Sequence, residues 1–195
     1  DGDTVTGSFA ISVDDDTPEL VSDASLTVFL DDETSSTPYA TPNDGSDPLI
    51  SAGTDDYDDT PASAATGTLA SLFSYGADGA GFVALTGDAS LEDYADIDLT
   101  DANSFWQEVN DDGTVVTIHQ VQDLGNDPLD DVTVLTITLT DPATGAYTVV
   151  QNAPIFHPDA QESEEEANFT IGFTVTDGDG DTVTGSFAIS VDDDT

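Results

Sequence analysis

Apolar residues in this chain fall on alternate positions, in short runs separated by turn chemistry. Residues 168–176 show it most plainly: Phe169, Ile171, Phe173 and Val175 alternate with Asn, Thr and Gly. A period of two puts one set of side chains on one face of an extended strand, so this run predicts a half-buried strand. The same alternation predicts strands over 4–13, where Val5, Phe9, Ile11 and Val13 share one parity, and over 182–191. Further runs predict strands over 25–30, 68–75, 82–86, 105–109, 114–121, 132–140 and 147–151, with a short one near Leu49 and Ile50. The apolar parity switches between Val134 and Leu135, which predicts a β-bulge. Turns are expected at Gly-Ala-Asp-Gly (76–79), as a hairpin joining 68–75 to 82–86, at Asn-Asp-Asp-Gly (110–113) and at Asp-Pro-Ala-Thr-Gly (141–145). Residues 34–66, rich in Ser, Thr, Pro, Gly and Asp, read as a long surface loop, and 88–104 fit either a helical turn or a loop. About ten strands without a long helix predict an all-β, antiparallel, immunoglobulin-like sandwich.

One strand occurs twice. Residues 1–17 are identical to residues 179–195, an offset of 178. Such identity predicts a tandem array in which 1–17 is the tail and linker of a preceding repeat and 18–195 is one module, starting near Pro18. A repeated module argues for a structural array and against a stand-alone enzyme. One sandwich has one slot for this strand. The copy after residue 178 is joined by a short turn to its expected partner over 168–176, so its loop closure costs least. The N-terminal copy is then expected to lie on an edge, point away, or pair with another chain.

Charge changes the picture more than any motif. The chain has no Lys or Arg and 42 Asp plus Glu, a formal net charge of −42. Phosphate contacts to nucleic acid need basic side chains, so that class of partner is excluded. Two carboxylates about 4 Å apart repel by roughly 4 kcal/mol at an effective dielectric of 20. Clustered acids must therefore spread out, take up protons or bind cations, and Ca²⁺, with six to eight oxygen ligands, is the expected cofactor. The alternative for scattered acids is a solvated surface that binds only water and salt. There is no Cys, hence no disulfide and no thiolate metal site. No run of 18 apolar residues suggests membrane insertion.

The candidate metal ligands follow from spacing. Asp177, Asp179 and Asp181 place alternate carboxylates in one tight turn. An EF-hand would need Gly at the sixth position and Glu at the twelfth, where this chain has Thr182 and Ala188. The glycine-rich nonapeptide β-roll does not recur either. What remains is a cation-binding turn between strands, against an ordinary acidic turn. Asp14, Asp15 and Asp16, with their copies Asp192, Asp193 and Asp194, follow a strand at the module boundary and offer further ligands. Glu33, after Asp31 and Asp32, and Asp78, in the 76–79 turn, complete the set. His119 and His157 lack a nucleophile motif and read as structural. Thr133, Thr136, Thr138 and Thr140 form the best surface for a rival reading, a module that binds glycan or ice, although Thr is also an ordinary strand former.

Three pieces together resemble the tandem repeats of type-I-secreted RTX adhesins, the giant surface proteins of Gram-negative bacteria. They are Gly67-Thr-Leu with Tyr75-Gly-Ala-Asp-Gly-Ala80, Tyr147-Thr-Val with Ile155-Phe-His157, and Phe173-Thr-Val-Thr-Asp-Gly-Asp-Gly-Asp181 with Ile189-Ser-Val-Asp-Asp-Asp-Thr195. The resemblance spans 18–195, apart from the acidic 34–66 stretch. It implies an extender module, repeated many times at the cell surface. Ca²⁺ would stiffen the junctions between neighbouring repeats, so that a distal binding domain is held away from the cell. That family's β-roll secretion signal does not occur in this chain.

Overall fold

The computed structural model describes residues 1–11, 16–31, 64–93, 104–122, 130–153, 155 and 165–193. The described residues form twelve strands: β1 (Glu19–Leu20), β2 (Thr27–Asp31), β3 (Ala64–Thr68), which begins inside the stretch expected as a loop over 34–66, β4 (Phe73–Ser74), β5 (Ala80–Asp88), β6 (Glu92–Asp93), within the 88–104 stretch expected as a helical turn or loop, β7 (Phe105–Val109), β8 (Val115–Gln122), β9 (Asp130–Asp141), β10 (Ala146–Gln151), β11 (Glu165–Asp177) and β12 (Thr182–Asp193). They form a six-stranded sheet in the order β3-β10-β9-β8-β7-β6 and a four-stranded sheet in the order β2-β12-β11-β5, with β1-β4 as a small ribbon. The inward parity of each sheet fills one core: Val116, Ile118, Ile137 and Val149 from the larger, and Ile171, Phe173, Val175, Phe187 and Ile189 from the smaller. The chain is an all-β sandwich of the immunoglobulin-like kind. It is not wholly antiparallel, because β2 runs parallel to β12 and β6 parallel to β7.

The duplicated strand separates as loop closure requires. β12 pairs along its whole length with β11 through the short 178–181 turn. Phe187 and Ile189 are 2% and 0% exposed, whereas their copies Phe9 and Ile11 are 86% and 75% exposed. Residues 1–11 hold no strand, which corrects the expectation of a half-buried strand over 4–13. The alternation there is real, but the slot it fits is taken. Each large apolar side chain buried in that slot contributes roughly 1.5–3 kcal/mol relative to exposure.

A second correction concerns 68–75. A 3-10 turn over Leu69–Ser71 interrupts the expected strand, and the Thr68 hydroxyl accepts a hydrogen bond from the Ala70 amide at 3.2 Å. Leu69 and Leu72 are both buried, three residues apart, which is the 3-10 repeat rather than the strand repeat. The 76–79 turn accordingly joins strands of different sheets, β4 and β5, and does not close a hairpin. The other turns form as the sequence implies. Asn110 accepts from the Thr114 and Val115 amides at 2.8 and 2.9 Å to close β7-β8, and Gly145, at φ +66°, ends the β9-β10 turn. The bulge is present too: Leu135 opposes Ile118 and Thr133 opposes His119, leaving Val134 as the extra residue. The expected strand at residues 49–50 lies outside the described residues.

Candidate metal centre

The site is built where three glycines let backbones approach. β11 ends at Asp177, and the Asp177 amide donates to the Asp181 carbonyl at 3.0 Å, closing the 177–181 turn. The Gly178 amide donates to the Gly79 carbonyl at 3.1 Å, which ties this turn to the 76–79 turn. A Cβ at Gly178 would collide with the Asp78 carbonyl, and one at Gly81 with the carbonyls of Thr176 and Asp177. Gly180, at φ +110°, takes a conformation that L side chains rarely adopt. Glycine at these positions brings Asp78 beside Asp177 and Asp179.

One carboxylate oxygen from each of these three residues lies within 4.8 Å of the other two, the one such group among the described residues. Asp78 and Asp179 are exposed, while Asp177 is 4% exposed. Asp177 Oδ1 accepts from the Gly180 and Asp181 amides at 3.0 and 2.8 Å. Burial works to raise the Asp177 carboxyl. Hydrogen bonds outweigh it, from the Asp179 side chain and the Gly180, Asp181 and Asp179 amides, and hold it below the ordinary carboxylate value. A bond between two carboxyls needs a proton on one of them. With both ionised, Asp177 Oδ2 is buried and has no hydrogen-bond partner. A buried, unpaired anionic oxygen is costly, and this chain has no Lys or Arg to offer it. Three clustered carboxylates, one of them with such an oxygen, suit a hard divalent cation with oxygen ligands.

The expected residues separate into those the fold gathers and those it does not. Asp177 and Asp179 come together as expected, and Asp78 joins them. Asp181 contributes its amide and carbonyl to the turn, and its carboxylate is not in the group. Asp16 is not in the group either: its Oδ2 accepts from the Ala77 amide at 2.6 Å. Asp192 pairs with Glu166 and Asp31 in the two ladders, at the end of β12 remote from the 177–181 turn. Asp14, Asp15, Glu33 and Asp194 lie outside the described residues, as does His157.

A buried acid that sequence reasoning missed serves structure. Asp88 accepts from the Ser90 amide at 2.9 Å, the Ser90 hydroxyl at 2.7 Å and the Thr170 amide at 2.6 Å. Its backbone is clasped by Gln107, whose side-chain oxygen accepts from the Asp88 amide at 2.7 Å and whose nitrogen donates to the Asp88 carbonyl at 2.8 Å. The signal for the local part was the Asp-x-Ser pattern of 88–90, a short-range Asx turn. A groove of about 800 Å³ borders Asp88, Gln107, Glu108 and Asn110, and the Asp88, Gln107 and Asn110 side chains in it are already bonded within the fold. His119 stacks on Trp106 at 3.9 Å and lies 3.3 Å from the Thr133 hydroxyl, in keeping with a structural role. Thr136 accepts from the Asn152 side chain at 2.8 Å, so the threonine face is partly self-bonded.

Among the described residues no helix is long and apolar enough to cross a membrane. Comparison with curated proteins and with solved structures returns no match. Residues 51–190, most of the sandwich, match a family described as a domain of unknown function, DUF5801, and the chain belongs to that family.

Proposed function

We propose that this chain is a calcium-binding structural spacer, an extender module of a giant bacterial RTX adhesin. In this reading the module is a non-enzymatic repeat, exported by type I secretion to the cell surface. Its partners are neighbouring identical repeats and calcium, and the array projects a distal ligand-binding domain. The observation that carries the calcium part is the unpartnered, buried Oδ2 of Asp177, a member of the Asp78, Asp177 and Asp179 group. The adhesin part rests on the sequence resemblance and on the 17-residue duplication.

The geometry supports a spacer in one further way. Asp16 meets the module at the 76–79 turn, beside the candidate metal centre, and β12 leaves at the other end. Eleven residue steps separate Thr182 from Asp193, roughly 36 Å at 3.3 Å per residue. Entry and exit at opposite poles are what an end-to-end array requires. Titration with CaCl₂, followed by calorimetry and thermal unfolding, tests the reading. The wild type is expected to bind calcium and gain melting temperature in step with the logarithm of calcium concentration, while Asp177→Asn loses both. A wild type that binds no calcium at millimolar concentration refutes it.

A further inference from the structure

The segment that enters the module is held at four successive places. Asp16 Oδ2 accepts from the Ala77 amide at 2.6 Å. Pro18 is buried. Glu19 and Leu20 pair with Ser74 and Phe73, and the Val21 amide donates to the Leu72 carbonyl at 2.9 Å. Upstream of Asp16, residues 1–11 are exposed and unpaired with any strand. Among the described residues, the most upstream fixed point of the entering chain is therefore the bond from Asp16 to the 76–79 turn.

That turn faces two ways. Gly76, at φ +77°, leaves room for the linker: a Cβ there would lie 2.8 Å from Asp16 Oδ2 and 3.0 Å from its Cγ. Ala77 supplies the donor. Asp78, the next residue, supplies a carboxylate to the group that includes Asp177, whose Oδ2 has no hydrogen-bond partner. Gly79 supplies the carbonyl that receives the Gly178 amide. Four consecutive residues thus hold the linker on one side and the candidate metal centre on the other.

We infer that the 76–79 turn is the docking point for the carboxylate that ends each inter-module linker, and that this carboxylate positions Asp78 for a divalent cation without ligating it. The partner is the tail of a preceding copy, since Asp16 corresponds to Asp194 in the duplicated stretch. Linker docking and cation binding then favour each other, because each orders the turn the other uses. Coupling of this kind is reciprocal in free energy. The inference rests on the calcium reading above for its second half, and on the Asp16 to Ala77 bond alone for its first.

The 195-residue chain tests both halves through Asp16→Ala and Asp16→Asn. Amide hydrogen exchange at Ala77 in EDTA reads the docking: Asp16→Ala should speed exchange, and Asp16→Asn, which keeps an oxygen acceptor, should largely restore protection. Calorimetry with CaCl₂ reads the coupling. Asp16→Ala should weaken binding by about tenfold, the scale of one lost charged hydrogen bond, with unchanged stoichiometry, and Asp16→Asn should recover most of it. Unchanged affinity in Asp16→Ala overturns the coupling. An equal loss in Asp16→Asn makes Asp16 a ligand and also overturns it. Unchanged Ala77 exchange overturns the docking. A wild type that binds no calcium refutes the calcium reading and the coupling together, and the exchange experiment still decides the docking.

Discussion

Gly7 and Gly185 are the same residue of the duplicated stretch, and the fold puts them in opposite circumstances. A Cβ on Gly185 would lie 2.6 Å from Phe173 Cζ, 2.9 Å from Leu20 Cδ2 and 3.0 Å from Phe173 Cε2. Carbon atoms pack at about 3.5–4.0 Å, so an added methyl overlaps its neighbours by up to roughly 1 Å. Overpacking of that kind costs about 1–3 kcal/mol. Replacing a strand glycine returns about 0.5–1 kcal/mol of unfolded-state entropy. Gly185→Ala is therefore expected to destabilise the sandwich by about 1–2 kcal/mol, with each kcal/mol lowering the melting temperature by about 2–4 °C in a chain of this size. Nothing lies within 4 Å of a Cβ on Gly7, so Gly7→Ala should stay within about 0.5 kcal/mol of wild type. Urea and thermal unfolding of both variants and of the double variant measure the difference. Neutrality of Gly185→Ala, or an equal loss in Gly7→Ala, would refute the assignment of the slot to β12. A full loss only in the double variant would do so as well, by showing that the two copies exchange.

Two further outcomes follow from close approach and from buried charge. Gly178→Ala should drive the Asp78 carbonyl from the 177–181 turn, break the Gly178 to Gly79 bond and weaken calcium binding by about tenfold, the equivalent of about 1.4 kcal/mol within the overpacking range, as read by calorimetry. Asp88→Ala should cost about 3 kcal/mol in urea unfolding, because it removes a carboxylate that serves three donors. Burial works to raise the Asp88 carboxyl, but the Ser90 hydroxyl and the Thr170 and Ser90 amides hold it below its ordinary 3.8. A depressed folded-state value contributes stability that is fully present above 3.8 and is lost as pH falls through the lower folded value. The stability gap between wild type and Asp88→Ala should accordingly narrow in acid, below pH 3.8, and a gap that widened there would contradict the hydrogen-bond account.

Period-two alternation revealed the sheets because each inward side chain had to be apolar to share one core. Phe169, Ile171, Phe173 and Val175 on β11 are all buried, as their parity implied. The same signal over Val5, Phe9 and Ile11 misled, since alternation reports what a segment can bury and not whether a slot is free. At Leu69 and Leu72 the apolar spacing was three, a signal present in the sequence but hidden by Phe73 and the strand-like Thr68 beside it. For the candidate metal centre, alternate spacing found Asp177 and Asp179. It pointed to Asp181 for the third carboxylate, where the fold brings Asp78 instead. That choice depends on the 76–79 turn meeting the 177–181 turn, a contact between segments about 100 residues apart. The role of Asp16 was hidden for a related reason: an acidic triplet looks like a ligand source until one of its members is seen bonded to an amide.

The distribution of charge separates what folds the module from what would join it to another. The core strands meet through apolar faces, and the two buried acids among the described residues, Asp88 and Asp177, are held by hydrogen bonds from neighbouring donors. For Asp88 those donors occupy both oxygens, so folding leaves nothing for a cation to do there. For Asp177 the bonds from the Gly180 and Asp181 amides go to Oδ1, Oδ2 is buried without a hydrogen-bond partner, and the carboxyl belongs to a group with Asp78 and Asp179. The two sites contain the same chemical group, so the difference lies in the supply of donors. At Asp88 a serine and a strand amide are in reach; at Asp177 the glycines of the turn bring carbonyls and carboxylates near instead. A chain with no Lys or Arg, and no histidine in this group, must draw the missing positive charge from solution. On the proposed reading that draw occurs at the pole where the linker enters, so the ion concentration outside the cell sets the order of the junction while the sandwich keeps its own fold.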